Sequence, residues 1–145
     1  MIDDVYNSRI LELAAATPEP SRLAAPDGTA KRVSKLCGSQ LVLDLKLRDG
    51  VVSDIAMDVK ACALGQAAAA VVNRGAIGAT QEEVVQAREA MHAMLSGEGE
   101  PPSGRFADLR FLEPVRDYRA RHASTLLAID ALADAFEDAT ARQAA

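Results

Sequence analysis

The sequence predicts an α+β fold: a small three-stranded antiparallel sheet with helices packed on one face and a long C-terminal helix. Three observations predict it. Apolar and polar residues alternate on both sides of a central Asp49-Gly50 pair, which is the pattern of a half-buried hairpin. Segments with helical spacing precede and follow that hairpin instead of alternating with strands. The chain has 145 residues, 49% of them hydrophobic and 26% charged, which is enough for one core and close to the globular average.

Residues 3–16 place Val5, Ile10, Leu11 and Leu13, with the alanines 14 to 16, at helical intervals until Pro18-Glu19-Pro20 ends the pattern. Ser21 to Thr29, with Pro26 and Gly28, reads as loop, and order resumes near Lys31. From Gln40 the period becomes two: Leu41, Leu43, Leu45 and Leu47 face one side, with Val42, Asp44, Lys46 and Arg48 on the other. Asp49-Gly50 readily takes the positive φ angles of a type I′ turn. A second strand follows with Ile55, Met57 and Val59 opposing Ala56, Asp58 and Lys60. Pairing about that turn sets Gln40 opposite Val59 or nearby, the outer face is expected to be solvated, and Lys31 to Leu36 is the expected edge strand.

After Cys62 an alanine-rich run forms a helix that Gly75 stops. Thr80-Gln-Glu-Glu83 has capping-box spacing, and Val84, Ala87, Met91, Met94 and Leu95 continue it as a second helix to Ser96-Gly97. Ser96 to Arg105, rich in glycine and proline, is a surface connection too short to separate domains. From Pro114, Val115, Tyr118, His122, Leu126, Ile129, Leu132 and Phe136 repeat with period 3.6, predicting one long helix. The reading is one domain over residues 1–138, with a tail over 139–145 expected to fray.

Composition excludes several functions. With 16 basic against 21 acidic residues, a net charge of -5 and no basic stripe, non-specific nucleic-acid binding lacks its driving force. Tryptophan is absent and five aromatics are scattered among 29 alanines, which disfavours a base-stacking platform. No secretory signal is visible, and no apolar run approaches the about 18 residues of a membrane span, so a soluble, cytoplasmic protein is expected.

The two cysteines, Cys37 and Cys62, flank the same end of the hairpin. Cys62 falls where a strand hands over to a helix, and exposed N–H groups at a helix start favour thiolate. Gly38 and Gly65 would let backbone approach a bound group. Packing as small hydrophobes is the alternative, because free cysteine is among the most buried residue types. His122 is a competent imidazole ligand on an apolar stripe, or a hydrogen-bonded core histidine. Arg119 and Arg121 read as solvated or carboxylate-paired helix surface, and His92 as surface or packing.

Lys35-Leu36-Cys37-Gly38, the hairpin, Val59-Lys60-Ala61-Cys62-Ala63-Leu64, and a late helix with Val115-Arg116 and Ala120-Arg121 together resemble the U-type iron-sulfur cluster scaffold family. That family comprises IscU, SufU and the N-terminal domain of NifU. The resemblance covers nearly the whole chain, including Tyr6, Ile10 and Leu11 in the N-terminal helix. It implies three cysteines gathered at one tip to hold a nascent cluster, of the [2Fe-2S] kind, or zinc when no cluster is present. Two match Cys37 and Cys62. The third does not: aligning the downstream leucines puts Ser124 there, and aligning the preceding histidine puts Ala123 there. The aspartate that follows the first Cys-Gly in the family is replaced by Ser39.

The resemblance thus implies a non-enzymatic scaffold or carrier. It would bind a cluster through Cys37, Cys62 and His122, with Ser39 and Ser124 as weaker ligands. Its partners would be a cysteine desulfurase and recipient apo-proteins. Two alternatives are a zinc-binding sulfur acceptor for a desulfurase and a non-catalytic interaction protein retaining the fold. A site with two thiolates also leaves room for completion by a second subunit in a homodimer or by small thiols.

Overall fold

The structure is a computed structural model and describes residues 6–144. In chain order it comprises α1 (Ser8–Ala15), β1 (Gly28–Ser34), β2 (Ser39–Arg48), β3 (Val51–Lys60), α2 (Ala63–Ala76), α3 (Gln81–Ser96), a run of 3-10 turns (Gly104–Asp117), a short 3-10 turn (Arg119–Arg121) and α4 (His122–Ala144). The strands form an antiparallel meander in the order β1-β2-β3. On one face α4 packs across β1 and β2, α2 packs against α4 and α1, and α3 lies against α4. The expected α+β architecture is the one observed. Of the expected N-terminal helix, residues 3–5 lie outside the described residues.

The hairpin is built as its alternation demands, with one addition. Asp49 and Gly50 both have positive φ, 54° and 80°, as a type I′ turn requires. A two-residue turn pairs odd positions with even ones: Arg48 faces Val51 and Leu47 faces Val52. Both apolar sets, however, are odd-numbered. A bulge between Lys46 and Leu47 resolves the conflict by leaving Ser53 unpaired, so that Leu45 faces Ile55, Leu43 faces Met57 and Leu41 faces Val59. Gln40 therefore pairs with Lys60, one position beyond the Val59 that uninterrupted pairing sets opposite it.

Two further differences concern the sheet. The edge strand begins at Gly28 rather than Lys31 and ends at Ser34. Gly28 is where β1 meets α4, and a Cβ there would collide with the Ala135 carbonyl and the backbone of Ala139. The outer face is not wholly solvated either. Asp44 is completely buried beneath the 21–27 loop, accepting from Arg22 Nε (2.6 Å) and Nη2 (3.1 Å), the Leu23 amide (3.0 Å) and Thr29 Oγ1 (2.7 Å). A carboxylate on the polar side of a strand has become the anchor of a loop.

The α3 helix carries the expected capping box, with Thr80 and Glu83 bonding reciprocally, and it buries Val84, Ala87, Met91, Met94 and Leu95. The helix expected from Pro114 is different. Its first part belongs to the 3-10 run, in which Phe106, Leu109, Leu112 and Val115 are buried at intervals of three. A spacing of three lines one face of a helix with three residues per turn. The α-helical stripe starts only at His122 and continues past Asp138 to Ala144, with its last residues exposed.

Candidate functional site

The turn from β1 to β2 and the junction from β3 to α2 meet the start of α4 at one end of the molecule. Cys37, in the first connection, directs its thiol at the Ala120 carbonyl, 3.5 Å away. Cys62, the N-cap of α2, lies 3.0 Å from the Ser124 hydroxyl. Ala120 and Ser124 are four residues apart, about one helical turn of 5.4 Å. The two thiols therefore converge on one short stretch of backbone. Both are partly buried, so they are sheltered yet reachable.

The electrostatics single out Cys62. Burial opposes its ionisation, but the Ser124 hydrogen bond, the Gly65 and Leu64 amides and the positive charge of Arg121 outweigh burial and hold the thiol below its ordinary range. The sulfur makes no capping hydrogen bond of ordinary geometry, so the two amides act as the positive end of α2 and not as a formal cap. Once Cys62 is thiolate, only Ser124 can donate in the 3.0 Å contact.

Of the two alignments for the missing third cysteine, the geometry selects Ser124. It is fully buried and faces Cys62, whereas Ala123 is exposed. A neutral hydroxyl is a poor ligand for soft iron-sulfur clusters, so Ser124 tunes its neighbour more readily than it replaces a thiolate. Ser39 is buried opposite Ser34 at the start of the β1-β2 ladder.

His122 is engaged differently. Its Nε2 lies 3.0 Å from both the Val115 and the Arg116 carbonyl oxygens, so that nitrogen carries a proton and clamps the end of the 3-10 run onto α4. Only Nδ1 keeps a lone pair. Among the described residues, no group of three or more His, Cys, Asp or Glu side chains stands close enough to hold a metal ion. The geometry brings together Cys37, Cys62 and Ser124, and occupies His122 Nε2 elsewhere.

Several contributors leave no mark in the residue pattern. The Ala120 carbonyl is a backbone group, and only the fold places it beside Cys37. Gly65 lets α2 approach α4 itself: a Cβ there would lie 2.7 Å from Ala61 Cβ and 3.1 Å from the Ser124 carbonyl. Protein packing alone therefore requires a glycine there. Gly38, with φ of 70°, faces open space. Arg119 and Arg121 have no carboxylate partner among the described residues, while His92 is paired with Asp130 at 2.8 Å. No helix among the described residues is long and apolar enough to cross a membrane.

Known proteins match this arrangement over almost its full length. The chain is 28% identical over 135 residues to the iron-sulfur cluster assembly scaffold protein IscU of Thermotoga maritima, an alignment spanning 92% of this chain and 93% of that protein. The crystal structure of a nitrogen-fixing NifU-like protein (N-terminal) from Brucella abortus is 55% identical, with a TM-score of 0.93 over 97% of each chain. A putative scaffold protein for the SUF system from Fervidobacterium islandicum, 19% identical, shares the fold with a TM-score of 0.83 over 92% of this chain and 98% of its own. The family model described as NifU-like N terminal domain matches residues 6–125, the span that contains both cysteines and Ser124, and the chain belongs to that family.

Proposed function

We propose that the protein is an iron-sulfur cluster assembly scaffold that receives a nascent cluster on Cys37 and Cys62 and passes it to apo-proteins. The carrying observation is the convergence of the two thiols on the 120–124 stretch, with Cys62 disposed to ionise. Thiolates are the soft ligands that iron and bridging sulfide prefer. Membership of the family and the likeness to a protein named as a scaffold support the same reading. Cluster is cargo here, so an incomplete and partly exposed ligand set suits transient holding, because a group that must leave is held by few bonds. Sulfur would come from a cysteine desulfurase.

Anaerobic reconstitution with iron, sulfide and a reduced small thiol tests this. A coloured product containing acid-labile sulfide, lost in both Cys37→Ser and Cys62→Ser, is expected; a colourless wild-type product would overturn the reading. A second reading, a zinc-binding sulfur acceptor for a desulfurase, draws on Cys62 as the thiolate that attacks sulfur, with zinc held through both cysteines. It predicts stoichiometric zinc in freshly purified protein that is lost in either Cys37→Ser or Cys62→Ser.

A further inference from the structure

No Asp or Glu stands close to either thiol in sequence: the acid-free stretches 28–43 around Cys37, 59–81 around Cys62 and 118–129 around Ala120 and Ser124 each run from one carboxylate to the next, with Asp117 just before the third, although the chain has 21 such residues. The same segments carry Lys35 two residues before Cys37, Lys60 two before Cys62, and Arg119 and Arg121 on either side of Ala120. Lys35, Lys60 and Arg119 are exposed, and none of the four makes an ion pair among the described residues. Six of the 16 Lys and Arg residues, Arg9, Arg22, Arg32, Arg74, Arg105 and Arg142, are paired with carboxylates, Arg32 and Arg74 from within these stretches. Four cations without an ion pair among the described residues thus stand within two residues of Cys37, Cys62 or Ala120.

A second deficit lies at the same place. A cluster with two iron atoms needs four terminal ligands, and this chain offers two thiolates, since Ser124 is a buried hydroxyl bonded to Cys62 and His122 Nε2 is held by carbonyls. What completes the set must supply sulfur, reach a partly exposed tip and tolerate four cations. Bridging by a second copy meets the first requirement but brings the two cationic rims face to face.

Resting on the scaffold reading, we propose that the cluster on this protein is completed by two molecules of a small thiol that carries carboxylates, held by Lys35, Lys60, Arg119 and Arg121. Each thiol gives its proton to solvent and a sulfur lone pair to iron, displacing water or hydroxide, with no change in oxidation state. The carboxylates pair with the rim cations. Since exposed ion pairs are individually weak and screened by salt, the rim selects among thiols and does not hold one without the iron bond.

The test is anaerobic reconstitution with ferrous and ferric iron and inorganic sulfide, with glutathione as the only small thiol. A parallel series uses glutathione diethyl ester, the same thiol with both carboxylates capped. Native mass spectrometry reads thiols and chains per cluster, and visible circular dichroism gives the half-saturating thiol concentration. One chain, one cluster and two glutathiones are expected, with the ester requiring at least about fivefold more to half-saturate. In the Lys35→Gln/Lys60→Gln/Arg121→Gln variant that gap closes, as it does for wild type in high salt. A thiol-free cluster shared by two chains overturns the proposal and leaves the scaffold reading intact. So does a gap that is absent in wild type or unchanged in the variant. Failure to form a cluster with either thiol, while both cysteines still alkylate, overturns the scaffold reading itself.

Discussion

The Cys62 thiol and the Ser124 hydroxyl stand 3.0 Å apart across the junction of α2 and α4, and the serine has no exposed surface. The resemblance to U-type scaffolds implies a third cysteine here or at the neighbouring Ala123. A hydroxyl there does something a third thiol would not: it donates to the Cys62 sulfur and favours its charged form.

Ser124→Ala removes that donor. The Cys62 titration should move up toward the ordinary thiol range, lowering its alkylation rate near pH 7 severalfold, since reactivity follows the thiolate fraction. Iodoacetamide kinetics against pH in a Cys37→Ser background measure it. An unchanged profile would show that the helix amides and Arg121 suffice.

Ser124→Cys restores three thiols. Under anaerobic conditions the variant should hold its cluster longer against a chelator than the wild type, because a soft ligand replaces a hydroxyl. In air the same contact favours a disulfide between positions 62 and 124. Equal chelation half-lives would mean that the new sulfur does not reach the cluster.

His122→Gln separates ligation from clamping. An amide can still donate to one of the Val115 and Arg116 carbonyls, so the cluster should persist, with stability reduced by about 1 kcal/mol for the lost bond. His122→Ala should lower the denaturation midpoint further. Loss of iron from His122→Gln without loss of stability would instead make the imidazole a ligand through Nδ1.

Asp44 gives a pH signature. Burial disfavours its ionised form, but bonds from Arg22, Thr29 and the Leu23 amide prevail and lower its pKa. Its contribution to stability is therefore complete above the unfolded carboxyl value of about 3.9 and declines as pH falls through the lower folded value. Asp44→Asn should cost about 2 kcal/mol at pH 7, discounted because Arg22 is half exposed and resolvates. The gap from wild type in urea unfolding should narrow below about pH 4. A constant gap across that range would assign the effect to packing.

Much of the fold is legible from residue spacing. The hairpin is evident because period two and Asp49-Gly50 are local signals, and α3 because Thr80 and Glu83 cap it reciprocally. The 3-10 run is also written in the sequence, as Phe106, Leu109, Leu112 and Val115 at intervals of three. A period of 3.6 reads through Val115 equally well, and only packing decides. Asp44 reads as solvated because alternation reports which side of a strand a residue faces, while a distant loop determines whether that side is covered.

The site divides the same way. Cys37 and Cys62 follow from their places at the hairpin end. The choice between Ser124 and Ala123 needs the direction of a side chain, and the engagement of His122 needs the position of two carbonyls that exist only once the 3-10 run is folded.

The unpaired Ser53 has a consequence for how relatives are compared. What the hairpin preserves between its thiols is the face each side chain occupies and not a count. A relative without that one residue keeps Leu45 against Ile55 and Leu41 against Val59, and so delivers its second cysteine to the same place, whereas a gap of one anywhere between positions 55 and 60 turns the strand over. A gap at position 53 is silent, and a template that insists on 24 residues between the cysteines would discard chains whose sites are identical in space.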